Sequence, residues 1–102
     1  MMEMSQGRRR RRGRKGRFPK PVSIGQVPTI NKFTPSPLTN PEPIHIEPAE
    51  LEALRLVDLE GLSQEEAGER MGVSRGTVWR LLQSARKKTV QALTEGRLLQ
   101  VT

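Results

Sequence analysis

Apolar residues between Ser63 and Leu82 (SQEEAGERMGVSRGTVWRLL) recur at three- and four-residue steps: Ala67, Met71, Val73, Val78, Leu81 and Leu82. That spacing predicts two short helices, each turning one apolar face toward the other. The boundaries are written in polar residues. Ser63 with Glu66 forms a capping box that opens the first helix. Gly72 follows Met71, where a left-handed residue ends a helix at little cost, and Ser74 caps the next helix almost at once. Gly68 falls where the two helices would cross. A glycine there costs about 1 kcal/mol relative to alanine in a helix interior, so a close-packing role is expected. The layout is that of a helix-turn-helix. An ordinary antiparallel helix pair is the competing reading, and the joint fit of caps, turn glycine and spacing favours the first.

The pattern extends in both directions. Pro48 to Glu60 predicts a first helix, with Pro48 at its first position, Glu47, Glu50 and Glu52 near its positive end and Gly61 as its stop. Ala53, Leu54, Leu56, Val57 and Leu59 cover more than one face, as expected of a helix buried behind the other two. Arg55 and Asp58 stand one turn apart and are expected to pair. The helix opened by Ser74 runs from Arg75 to about Glu95, where Gly96 ends it, a length of about 30 Å. Val78, Leu82, Ala85, Thr89, Ala92 and Leu93 form a stripe longer than the turn unit can cover. The surplus must pack on the first helix, on the flanks or on a second copy of the chain, and the last would make a homodimer. Ile44-His45-Ile46 and Leu98-Leu99-Gln100-Val101 read as strands and are expected to pair as a short two-stranded clasp. His45, the one histidine, is expected at a strand edge rather than in a site.

Residues 44–102 therefore form the domain. Residues 21–43 carry Pro21, Pro28, Pro35, Pro37, Pro41 and Pro43, which predict an extended linker, part of it lying along the domain through Val27, Ile30, Phe33 and Leu38. Residues 1–20 are rich in Arg and Gly with little to bury, and are expected to be disordered. The fold class is mainly α: three helices, a small clasp and a basic tail.

Composition narrows the chemistry. With 33% hydrophobic residues and three aromatics, a 102-residue chain builds only a small core. No cysteine is present, so disulfides, thiolate metal sites and cysteine nucleophiles are excluded. No apolar run reaches the ~20 residues needed to span a bilayer, so no membrane partner is expected and the cytoplasm is the default address. Of the 18 basic residues, nine lie in the first twenty positions, and from Pro43 onward eight bases face nine acids. The net charge of +7 thus belongs to the tail, whose natural partner is a polyanion. Within the domain, Glu47 to Arg70 carries eight acids and two bases, whereas Ser74 to Glu95 carries five bases and one acid. One face repels phosphate and the other attracts it.

That polarity directs attention to the helix opened by Ser74. Arg75, Gly76, Thr77, Trp79, Arg80 and Gln83 avoid its core positions and are the candidates for base contact. Arginine reads guanine, glutamine reads adenine, threonine meets a thymine methyl, and Gly76 permits close approach. Trp79 either packs on sugar or a thymine methyl or is buried beside the first helix; Val78 and Leu81 already claim the inward face, which favours exposure. Candidate phosphate contacts are Ser63, Gln64 and Ser74 at helix N-termini, then Arg86, Lys87 and Lys88. The tail adds Arg8, Arg9, Arg10, Arg11, Arg12, Arg14, Lys15 and Arg17. For Arg86, Lys87 and Lys88 a merely solvated face competes evenly. Catalysis lacks comparable support: there is no partnered histidine, no phosphate-cradling glycine loop and no metal-ligand spacing, so neither an enzyme nor a cofactor is expected.

The run EALRLVDLEGLSQEEAGERMGVSRGTVWRLLQSARKKTVQAL, residues 52–93, resembles the prokaryotic uncharacterised protein family 0251 (domain of unknown function 134), regarded as predicted DNA-binding. It is also similar to region 4 of sigma factors, whose helix-turn-helix reads promoter DNA. The resemblance implies a winged-helix-like or sigma-region-4-like DNA-binding domain in bacteria or archaea, with the recognition helix falling on Ser74 to Leu82. The resulting expectation is a sequence-specific double-stranded-DNA binder, a transcriptional regulator. The rival is an adaptor whose helix pair binds protein such as RNA polymerase, with the tail as a general nucleic-acid anchor.

Overall fold

The computed structural model describes residues 22–102, so the expected disorder of residues 1–20 lies outside the described residues. The helices begin and end at their capping residues. α1 (Pro48–Leu54) starts with Pro48 in its first turn, and the Glu47 amide donates to Glu50 Oε1 at 2.8 Å. The expected single helix to Glu60 is divided: Arg55–Leu59 is a π-helical turn in which the Glu60 amide reaches back to the Arg55 carbonyl at 2.9 Å. Gly61, at φ +80°, ends it. α2 (Gln64–Met71) carries the full capping box, with the Glu66 amide on Ser63 Oγ at 3.0 Å and the Ser63 amide on Glu66 Oε1 at 2.9 Å. Gly72 terminates α2 in the left-handed conformation, φ +70°. α3 (Arg75–Glu95) is capped by Ser74 and closed by Gly96, also left-handed.

The expected pairing of Arg55 with Asp58 does not form. Arg55 lies between Glu52 and Glu60, with Nη2–Oε2 at 2.9 Å and Nη1–Oε2 at 3.0 Å, while Asp58 binds Arg86 of α3. The cause is the π turn, whose wider winding carries residue i+3 off the face of residue i.

The expected clasp is one half of a three-stranded sheet. β1 (Lys32–Phe33), β2 (Asn40–Ile46) and β3 (Arg97–Val101) lie in the order β1-β3-β2. β3 is antiparallel to β1 and parallel to β2, with Ile44 opposite Leu99 and Ile46 opposite Val101. The register slips between Asn40 and Ile44, and Pro41 and Pro43 fall inside that irregularity on an edge strand, where missing amide donors do least harm. The Arg97 guanidinium donates to the Glu42 carbonyl at 2.8 Å and the Pro43 carbonyl at 3.4 Å, satisfying acceptors that the slipped ladder leaves open. Proline density predicted linker here; the sheet absorbs part of it by placing the prolines in the irregular stretch.

Ala53, Leu56, Ala67, Met71 and Val78 form the core shared by the three helices, with Val22, Val57, Leu62, Val73 and Leu81 packed against it. Gly68 is buried, and a Cβ placed on it would lie 2.8 Å from the Val73 carbonyl oxygen. The bare backbone there is what lets α2 lie against the start of α3. The surplus stripe on α3 is covered within the chain: Val78, Leu82, Ala85 and Ala92 are buried against α1, α2 and the sheet. Leu93 leaves the stripe and is 78% exposed. The sheet takes the line through Ala92, and Leu93 is one helix position beyond it.

Candidate nucleic-acid interface

Four polar or backbone-bare positions, Gly76, Arg80, Gln83 and Lys87, succeed one another at steps of four, three and four along α3, and all are exposed. They therefore lie in one outward line. Trp79, half exposed, flanks the line on one side with Arg75; Thr77, partly buried, flanks it on the other. All six residues singled out for base contact are on or beside this face, and Trp79 is not buried beside α1.

The face is internally braced. Ser74 Oγ accepts from the Thr77 amide at 3.1 Å and lies 2.9 Å from Thr77 Oγ1. Thr77 Oγ1 in turn accepts from Arg80 Nη2 at 3.3 Å. The helix cap thus extends through a threonine to the arginine one turn on, which limits the rotamers that the guanidinium samples. A Cβ on Gly76 would touch only Ser74 Oγ at 3.9 Å and Arg80 Nη1 at 4.0 Å, so the protein itself does not require glycine there. The first amides of α3, beyond the one bonded to Ser74, point out of the helix end as donors.

Among the described residues the candidate phosphate contacts separate into three groups. Ser74 and Lys87 are exposed on the α3 face. Ser63 and Gln64 sit at the N-terminus of α2, but Glu65 and Glu66 share that first turn. Hydrogen bonds from the Ser63 amide and hydroxyl hold the Glu66 carboxyl below its ordinary range, so a negative charge stands beside them. Arg86 and Lys88 are each held in an ion pair. Arg86 grips Asp58 with two bonds, Nε–Oδ2 at 3.0 Å and Nη2–Oδ1 at 2.8 Å, and Lys88 Nζ lies 2.8 Å from Glu50 Oε1. Lys88 thus binds α1 and Arg86 the π turn that continues it, because this segment packs against α3 and brings its acids to them. Sequence spacing could not see that packing. Arg8, Arg9, Arg10, Arg11, Arg12, Arg14, Lys15 and Arg17 lie outside the described residues.

Among the described residues Glu50 and Glu52 are the buried charges. Burial alone would raise the Glu50 carboxyl, but the Glu47 amide, Lys88 and Ser84 outweigh it and hold it below the usual range. Glu52 is also lowered: burial opposes, while Arg55 and the Gly25 amide prevail. The Gly25 amide donates to Glu52 Oε2 at 2.8 Å, and the Ser23 amide to the Met71 carbonyl at 3.0 Å. These two anchors carry no local sequence signal, since each joins residues more than twenty-five positions apart.

Among the described residues no group of three or more His, Cys, Asp or Glu side chains could hold a metal ion, and no helix is long and apolar enough to cross a membrane.

Fold and face together define a mainly α domain of three helices, closed by a small three-stranded sheet and presenting one braced polar line on its longest helix. The chain belongs to the protein family of unknown function DUF134, which matches residues 7–102. Its relatives carry the matching name UPF0251. The UPF0251 protein TK0562 of Thermococcus kodakarensis is 61% identical over 79 residues, covering 74% of this chain and 70% of the relative. PF0620 of Pyrococcus furiosus is 56% identical over 88 residues, covering 83% and 82%. The Archaeoglobus fulgidus member is 44% identical over 88 residues, covering 86% and 84%. No solved structure matches the chain.

Proposed function

We propose that this protein is a sequence-specific double-stranded-DNA-binding protein, a prokaryotic transcriptional regulator of the cytoplasm, whose α2 and α3 act as a helix-turn-helix. α3 enters the major groove with Arg75, Thr77, Trp79, Arg80 and Gln83 toward base edges, and Gly76 lets the helix approach closely. Ser74, Lys87 and the basic tail hold phosphates. The observation that carries this reading is the braced line Ser74–Thr77–Arg80 on an exposed helix start, fixed to the core by the buried Gly68 crossing.

The test is selection of binding sites from random duplex DNA at physiological salt, with the full chain and with a chain lacking residues 1–20. A motif enriched by both is the expected outcome. No enrichment by either, with binding that vanishes as salt rises, would sink the reading.

A second reading, a protein-binding adaptor of the transcription machinery, draws on a different surface. A groove of about 640 Å³ at the far end of α3 is lined by Phe33, Pro35, Pro37, Leu93 and Leu99, and Phe33 and Leu93 are largely exposed. On that reading a protein such as RNA polymerase binds this groove, duplex DNA does not displace it, and changing Phe33 or Leu93 releases it while changes at Arg80 or Gln83 do not.

A further inference from the structure

The first described residues run along the domain in a definite direction. From Asn31, just before β1, whose carbonyl accepts from the Val101 amide at 2.8 Å, the chain leads back past α1 to the end of α2. At α1 the Gly25 amide donates to Glu52 Oε2, and Arg55 holds the same carboxylate with two bonds of 3.0 and 2.9 Å. Glu52 is 2% exposed, so this anchor is built into the fold. A Cβ on Gly25 would meet Glu52 Oε2 at 3.0 Å and Arg55 Nη2 at 3.1 Å; the bare glycine lets the backbone lie on the ion pair. At the end of α2 the Ser23 amide bonds the Met71 carbonyl, and Val22 packs on the core that contains Met71 and Val78.

Met71 is three residues before Ser74, which opens α3, so the anchor of Ser23 is at most about 11 Å of chain from the start of the proposed recognition helix. Nine basic residues, Arg8 to Arg12, Arg14, Lys15, Arg17 and Lys20, are joined covalently to this point. From Pro21 back to Arg8 the chain can reach at most about 45 Å, or about 13 base pairs of duplex.

We propose that this strap delivers the basic N-terminal segment to one flank of the bound DNA, the flank beside the α2–α3 turn, where it contacts phosphates and extends the site on that side only. The inference rests on the DNA-binding reading and adds to it a polarity that the helix face alone does not give. Fixing the segment at the turn raises its effective concentration over the near flank and lowers it over the flank beyond the C-terminal end of α3.

The chain has no cysteine, so one can be introduced at a chosen place and made to carry a DNA-cleaving chelate. Three full-length variants serve: Ser5→Cys in the tail, Arg70→Cys on the last turn of α2 and Thr94→Cys near the end of α3, the latter two exposed. On a selected duplex, Ser5→Cys is expected to cut the flank cut by Arg70→Cys at least ~5-fold more than the flank cut by Thr94→Cys. Adding Gly25→Val, which lifts the strap from Glu52 but leaves the Ser23 bond and the Val22 packing, should narrow the difference between the two flanks while the selected sequence is unchanged. Equal cutting of both flanks by Ser5→Cys, or preference for the Thr94 side, overturns the inference and leaves the DNA reading intact. Failure of the full chain to prefer any duplex over random DNA overturns that reading and the inference with it.

Discussion

The Lys88 ammonium lies 2.8 Å from the carboxylate of Glu50, a residue 5% exposed at the start of α1, and so ties that helix to the middle of α3. Ser84 donates to the same carboxylate. Removing the cation strands a buried charge, which costs more than an exposed ion pair is worth. Lys88→Met is therefore expected to lower stability by about 1–3 kcal/mol at pH 7, discounted because Lys88 is itself partly solvated. The shift of the urea midpoint measures it.

The same carboxylate sets an acid limit. Glu50 and Glu52 are held below their ordinary range, as is Asp58 through its bonds with Arg86. A carboxyl whose folded value is lowered contributes stability above its unfolded value, near 4.5 for Glu. That contribution is lost as pH falls through the lower folded value. Stability should hold from neutral pH to about 5 and decline below it. Glu50→Gln should be less stable than the parent at pH 7 and converge on it toward pH 3. A constant gap between the two unfolding curves would contradict the assignment.

How these pairs arise shows what the sequence could and could not disclose. Caps and stops depend on neighbours within four positions, so Ser63, Gly72, Ser74 and Gly96 could be placed from the chain alone. Arg55 with Asp58 looked like one such local pair, but the π turn separates them and α3 supplies Arg86 instead. β1, the slipped pairing of β2 and the anchors of Ser23 and Gly25 each join distant residues and follow from tertiary closure. Leu93 fits the apolar period, but it stands one helix position round from buried Ala92, outside the covered stripe, and is exposed. The polar line on α3 was legible because exposure there follows from which positions the core takes.

Gly68 and Gly76 should respond in opposite ways to an added side chain. Gly68→Val drives a branched group into the Val73 carbonyl and should cost about 1–3 kcal/mol or more, read as a lowered melting temperature. Gly76→Ala meets nothing closer than 3.9 Å and should keep or slightly raise stability through helix propensity. Its effect should appear in duplex affinity, which falls because the methyl stands between helix and groove. Unchanged affinity would mean that DNA does not approach at Gly76.

Trp79 is the one tryptophan and is half exposed on the α3 face, so its fluorescence reports on that face alone. Saturating selected duplex is expected to quench or shift its emission, and Trp79→Phe should remove the signal. Emission that ignores DNA while the protein is bound would move the interface off this helix.

Arg80 and the tail should separate specificity from affinity. Arg80 stands one turn into α3, its guanidinium steered by Thr77, and bidentate reading of a base is the use that such steering serves. Arg80→Ala should cost about 1–3 kcal/mol at the preferred site and relax preference at one position, while barely changing binding to unrelated duplex. Deletion of residues 1–20 removes nine bases and should do the reverse. Each phosphate that the shortened chain no longer neutralises reduces the slope of log affinity against log salt by about 0.9, so the dependence flattens by up to about 8 while the preferred sequence stays the same. Binding curves at several salt concentrations, on preferred and scrambled duplexes, distinguish the two. If Arg80→Ala weakened every sequence equally, its guanidinium would be bound to phosphate, and base reading would have to pass to Arg75 or Gln83 on the same face.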